Sequence, residues 1–186
     1  MNYLMIYQPA EDSYLLEDVV KNFLKNKDKN IEILDMGSGS GIQAQACVDL
    51  GFDNVLAVDV NPDAVKNLDK KGLNVVESDL FSNIDENEKY DLIIFNAPYL
   101  PEDKREPEDI RLATTAGKEG YEIIVKFLEE SKDYLNEKGK ILLLFSSLSQ
   151  PEIILNKSQE FGYEYKLIKK MKLDFEELLV YEFKKE

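Results

Sequence analysis

The sequence predicts an α/β fold: a doubly wound, mostly parallel sheet of seven strands, with an antiparallel strand from a C-terminal hairpin. Three observations predict it. Five short apolar runs recur along the chain, separated by amphipathic stretches of helical spacing. A glycine-rich turn joins the first run to the stretch that follows it. Near the end, two alternating segments, Tyr163 to Lys172 and Phe175 to Phe183, are divided by Leu173-Asp174, the pattern of a hairpin.

Taken in order, Glu11-Asp12-Ser13 opens the first helix, and Leu16, Val19, Val20 and Phe23 form its apolar face. Ile31 to Met36 is the first strand and runs into Gly37-Ser38-Gly39-Ser40-Gly41. Ile42, Ala46, Cys47 and Leu50 mark the next helix, where Cys47 reads as a core residue. Asn54 to Asp59 is the second strand; Asn61 then caps a helix with Pro62 in its first turn, and Gly72 ends it. Leu73 to Glu77 is the third strand. Leu92 to Phe95, bounded by Asp91 and Pro98, reads as a fourth strand buried on both faces. Ala97 to Gly117 is a long loop, and loops of that length are usually functional. Tyr121, Ile124, Val125, Leu128 and Leu135 trace a helix that Gly139 breaks, and Lys140 to Phe145 is the fifth strand. Ser149-Gln150-Pro151-Glu152 reads as a capping box opening the last helix.

A length of 186 residues with 44% hydrophobic content fits a single domain, 1–186. Against 37 acidic residues stand 23 basic ones, a formal charge of -14, which opposes a general nucleic-acid surface because phosphate contacts need Lys and Arg. There is no His, which excludes His bases, Ser-His-Asp triads and His metal sites. Cys47 is the sole cysteine, so neither a disulfide framework nor a Cys-rich zinc site is available. No apolar run has the length of a membrane span and the start lacks a signal pattern, so a cytoplasmic location without membrane contact is expected.

Ligands of open α/β sheets bind at the carboxyl ends of the strands. Gly37, Gly39 and Gly41 stand at the first such end. A pyrophosphate loop would place Gly or Ala at position 42; Ile42 there suits a ligand without phosphates. Asp59, at the second end, can accept hydrogen bonds from both hydroxyls of a ribose. Asp79, with the backbone of Leu80, can accept from an exocyclic amine, and Asp35 can face a cationic amino group. S-adenosylmethionine has all of these groups. At the fourth end Asn96 offers a side-chain acceptor and Ala97 a main-chain one, Pro98 fixes the turn, and Tyr99 supplies a flat face. Each of these residues is also an ordinary turn former. Three carboxylates around one glycine loop favour the ligand reading.

Asp35 to Gly41, Asp59 and Asn96-Ala97-Pro98-Tyr99 resemble class I S-adenosylmethionine-dependent methyltransferases with an Asn-Pro-Pro-Tyr motif, which modify planar amino or amide nitrogens. Tyr7-Gln8-Pro9-Ala10-Glu11-Asp12-Ser13 is similar to the start of the short HemK-type protein-glutamine methyltransferases of archaea and eukaryotes, as is Ala116-Gly117 with Gly120. The resemblance implies a Rossmann-like fold and methylation of the Gln of the Gly-Gly-Gln motif in class-1 release factors. It implies that residues 1–30 cover the cofactor and that 97–117 form a substrate loop. It assigns Ser13, Asp35, Gly37, Asp59, Asp79 and Leu80, together with Asn96, to the cofactor. Asn96, Ala97, Pro98 and Tyr99 hold the target amide. A small zinc-binding activator protein is expected to add to the sheet edge formed by the third strand. The motif departs at Ala97, where Pro is usual, and Thr115 stands where an aromatic is expected. Adenine-N6 methylation, protein lysine methylation and a non-enzymatic cofactor-binding subunit remain as alternatives.

Overall fold

The computed structural model describes residues 6–100 and 117–186. Most of the expected 97–117 loop, with Thr115 and Ala116, lies outside the described residues, as do residues 1–5. In chain order the elements are α1 (Glu11–Leu24), β1 (Ile33–Met36), α2 (Ile42–Asp49), β2 (Val55–Asp59), α3 (Pro62–Lys70), β3 (Val75–Glu77) and β4 (Tyr90–Asn96). Then follow α4 (Glu122–Tyr134), β5 (Leu135–Ser146), a 3₁₀ turn (Ser147–Ser149), α5 (Pro151–Glu160), β6 (Tyr163–Lys172) and β7 (Glu177–Lys185).

The strands form one seven-stranded sheet in the order β3-β2-β1-β4-β5-β7-β6. Strands β1 to β5 pair in parallel, and β7 runs antiparallel to both β5 and β6. The fold class and the edge position of the third strand are as the sequence predicts. The hairpin departs from simple chain order: β7 inserts between β5 and β6, leaving β6 as the second edge.

Alternation explains why the central strands read as unbroken apolar runs. On β4, Leu92 and Ile94 pack with Leu16 and Val20 of α1 and Cys47 of α2. Ile93 and Phe95 face the other way, onto Ile124, Phe127 and Leu128 of α4. Both faces are covered, so neither needs polar residues. Among the described residues, no helix is long and apolar enough to cross a membrane.

Two local expectations are corrected. Helix α4 stops at Tyr134, and Leu135 begins β5 by pairing with Tyr90. Gly139 therefore lies inside a strand, beside a register shift between Tyr90 and Leu92. A Cβ at Gly139 would stand 2.9 Å from the Tyr90 carbonyl oxygen, so glycine permits the bulge. Asn136 Nδ2 ties the irregular stretch to Asp91 Oδ1 at 2.7 Å. The expected capping box also fails. Gln150 precedes α5 in a left-handed conformation without a side-chain cap bond, and the Ser149 hydroxyl instead donates to the Tyr99 carbonyl at 3.0 Å.

Candidate active site

The carboxyl ends of β1, β2 and β4 and the turn after β3 surround a cavity of about 280 Å³. The sheet topology brings them together, because β1 lies between β2 and β4. Of the residues picked out by sequence, Ser13, Asp35, Gly37, Gly39, Asp59, Asp79, Leu80, Asn96 and Pro98 line the cavity. Gly41, Ala97 and Tyr99 are not in that lining. Gly41 has a structural part. It precedes α2 with φ +84, and a Cβ there would stand 2.4 Å from Leu68 Cδ2 on α3. At Gly37 (φ +60) a Cβ would stand 3.1 Å from the Phe95 ring, so the loop backbone lies close over the end of β4.

Asp59 holds the loop in shape. Its Oδ2 accepts from Gly39 N at 2.7 Å and its Oδ1 from Asn61 N at 2.8 Å. Each oxygen keeps a lone pair for a ligand hydroxyl. Burial raises its pKa, and the backbone donors of Asn61 and Gly39 pull it back. Asp59→Asn opposes an NH₂ group to one of those N–H donors. It is expected to lower unfolding free energy by about 1–3 kcal/mol, the cost of a lost buried hydrogen bond. A denaturant titration checks this, and an unchanged midpoint would remove Asp59 from the loop's support.

Asp35 is buried beneath the loop, where its Oδ2 accepts from Ala44 N at 3.1 Å. Burial pushes its carboxyl up to about 7, and the bonds from Ser38 and Ala44 offset only part of this. A buried carboxyl that pairs with no cation among the described residues suits a positively charged ligand. Asp79 is less enclosed than expected: its side chain is 64% exposed and lies 3.8 Å from Lys126 Nζ. Leu80 beside it is buried with φ 48, a left-handed turn that brings its main chain to the cavity wall.

At the end of β4, Asn96 Nδ2 donates to Asp12 Oδ2 at 3.0 Å. Asn96 Oδ1 is buried and, among the described residues, has no hydrogen-bond partner. Burial, with the Asp12 charge adding to it, raises the Tyr99 hydroxyl far above the ordinary tyrosine range, so Tyr99 stays neutral.

Sequence reasoning missed Asp12, Tyr7 and Gln43. Tyr7 lines the cavity, and its hydroxyl lies 3.1 Å from Asp12 Oδ1. Asp12 and Tyr7 both sit inside the Tyr7–Ser13 segment; the available signal was that Asp12 stands at helical spacing before Leu15, Leu16 and Val19, an acid on the apolar face. Gln43 anchors through Nε2 to Ser13 O at 2.9 Å, and its buried Oε1 has no partner among the described residues. Nothing in its helix-face position announced that.

Known proteins resemble this chain in sequence and in fold. Residues 9–148 match a family model described as a methyltransferase domain. A protein of Methanocaldococcus jannaschii named "Putative protein N5-glutamine methyltransferase" is 37% identical over 183 residues, covering 94% of this chain and 89% of that one. Human "Methyltransferase HEMK2" is 29% identical over 163 residues, covering 81% and 76%. Among solved structures, the E. cuniculi Mtq2–Trm112 complex, described as responsible for methylation of the eRF1 translation termination factor, superimposes with a TM-score of 0.78. That match has 25% identity and covers 97% of this chain and 98% of that one. With the family match running from the start of α1 past the end of β5, the chain belongs to the methyltransferase-domain family of S-adenosylmethionine-dependent enzymes.

Proposed function

We propose that this protein methylates the side-chain amide nitrogen of the Gln in the Gly-Gly-Gln motif of a class-1 peptide-chain release factor. One observation carries the reading: the buried Asn96 Oδ1 at the end of β4, without a partner among the described residues, one residue before the main-chain carbonyl of Ala97. Two acceptors in sequence suit a planar NH₂ group, which has two hydrogens to place. The names of the M. jannaschii and E. cuniculi relatives support a protein substrate of this kind.

When bound, S-adenosylmethionine supplies a methyl group on a positively charged sulfur, which becomes a neutral thioether on transfer. Asn96 and the Ala97 carbonyl hold the amide hydrogens and so aim the nitrogen, and Tyr99 packs against the amide plane. The nitrogen gains the methyl and gives up one proton to solvent water. Alignment of this kind needs no strong base, which fits a chain without His. Asp59 accepts from the ribose hydroxyls, Asp35 faces the cationic end, and the Leu80 main chain with Asp79 meets the base. Ser13, Gly37 and Gly39 complete the wall. Residues 6–13 cover the cofactor from α1, and the 97–117 segment meets the substrate. Ala97 serves where Pro is usual because its contact is through the backbone.

A small activator protein is the proposed partner, adding a strand to β3. That strand is a three-residue edge with Val75 and Val76 half-buried. Co-expression with such a protein is expected to raise soluble yield and activity, and no change in either would remove it.

The deciding experiment offers the enzyme labelled methyl donor with a release factor and an oligonucleotide side by side. Label on the release-factor Gln, located by mass spectrometry, is the expected result. Label on adenine or on a lysine would replace this substrate with another. The release-factor reading places the reaction in the cytoplasm.

A further inference from the structure

In the proposed reaction Asn96 acts as an acceptor, but an asparagine side chain has two ends. Turned by 180° about χ2, the same residue would present NH₂ to the substrate amide, donor against donor. Something must fix which end faces the substrate. Burial alone does not, since the two orientations have nearly the same shape.

The structure assigns this task to Asp12: we infer that it is a positioning residue that sets the polarity of the Asn96 amide. The inference rests on the proposed methyl-transfer role of Asn96. Asp12 stands in the first turn of α1 and is 4% exposed. Its Oδ1 accepts from Ser13 N at 2.7 Å and from Ser13 Oγ at 3.3 Å. The Tyr7 hydroxyl lies 3.1 Å from Oδ1 and 3.2 Å from Oδ2. Oδ2 accepts from Asn96 Nδ2 at 3.0 Å. Each of these neighbours is a donor, which suits the acceptor-only oxygens of a carboxylate.

A carboxylate can only accept. It therefore draws the NH₂ end of Asn96 and repels the carbonyl end. That leaves Oδ1, which has no partner among the described residues, as the acceptor. The reversed amide would set Asn96 Oδ1 against Asp12 Oδ2 with no proton between them. Asp12 is 84 residues away in sequence, so the polarity at the end of β4 is decided from the N-terminal segment. That segment also supplies Tyr7 and Ser13 to the cavity wall. Asp12 is thus the link through which the two sides of the site fit together.

The test substitutes isosterically. In Asp12→Asn the introduced carboxamide keeps an oxygen for Ser13 N–H and turns an NH₂ group toward Asn96, which favours the reversed amide. Turnover of the release factor is expected to fall about 100-fold, while the dissociation constant for S-adenosylmethionine changes less than about threefold. The double variant Asp12→Asn/Asn96→Asp restores a donor facing an acceptor and leaves a free oxygen at position 96. It is expected to recover at least about tenfold over Asp12→Asn. Turnover within threefold of wild type in Asp12→Asn would overturn the inference. So would a loss that tracks cofactor affinity, or failure of the double variant to recover.

A substrate-free readout separates this inference from the functional reading. In a ¹H–¹⁵N spectrum of the wild-type protein, assigned with Asn96→Asp, one Asn96 side-chain proton should be shifted downfield and protected from exchange. An unprotected, averaged Asn96 amide overturns the inference even if variants at Asp12 do not fold. A protected amide in a protein that leaves the release factor unmodified would keep Asp12 in place and remove only the substrate.

Discussion

Asn96→Ala is expected to lower turnover by about 10²–10³, the scale found when one preorganised polar group is removed from a reacting centre. The affinity for S-adenosylmethionine should stay within a few-fold of wild type. Asn96 Nδ2 is spent on Asp12, and only Oδ1 is left to act. Truncation removes that acceptor and leaves the Ala97 carbonyl alone. One hydrogen of the target amide then has no fixed partner and the nitrogen is no longer aimed. The cofactor's recognition groups lie elsewhere, at Asp59 and Asp35, so its binding should survive. Single-turnover kinetics with saturating donor separates the two terms. An equal loss in turnover and in donor affinity would make Asn96 a cofactor residue rather than the holder of the target amide.

Cofactor affinity is expected to rise with pH and to level off above about 7. The origin is Asp35, whose burial pushes its carboxyl up to about 7 in the ligand-free protein. A positively charged ligand beside it favours the ionised form. Binding below that pH therefore releases a proton, and the affinity climbs by up to about tenfold per pH unit. Calorimetry in two buffers with different ionisation heats should find release of close to one proton at pH 6 and much less at pH 8. Asp35→Asn should flatten the profile.

The same group fixes the sign for stability. Its folded pKa lies above the ordinary value of 3.8, so the folded protein binds the proton more tightly than the unfolded chain does. The ligand-free protein should accordingly lose stability as pH rises from about 4 through 7, and Asp59, raised in the same direction, adds to the loss. Cofactor should restore most of it at pH 8. A ligand-free denaturation midpoint that climbs over this range would contradict the placement of Asp35.

The strands and the glycine loop were legible because their signals are local. Leu92 to Phe95 is apolar on both faces, and Asp59 and Asn61 stand where a strand gives way to a capped helix. The junction at Leu135 was not legible. Leu135 continues the helical spacing of α4, and only its pairing with Tyr90 across the sheet turns it into strand. Ser149 was misread for a related reason: its hydroxyl satisfies a distant carbonyl, that of Tyr99, instead of its own helix. Asp12 looked like one of three helix-start residues, and its work is done 84 residues away. Local chemistry identified the groups that would meet a ligand. The groups that hold them depend on contacts that exist only once the sheet has formed.

The insertion of β7 between β5 and β6 bears on how the chain is made. During synthesis β5 and β6 leave the ribosome before the strand that joins them. Until residues 177–185 follow, each presents an unpaired ladder, and on β5 that ladder runs beside buried Leu142 to Phe145. The parallel half of the sheet, which carries the cofactor loop, has no such wait: β1 to β4 find their pairing partners among themselves in order of emergence. A nascent chain stopped short of β7 would thus hold a nearly finished cofactor site on a sheet with an open, adhesive flank.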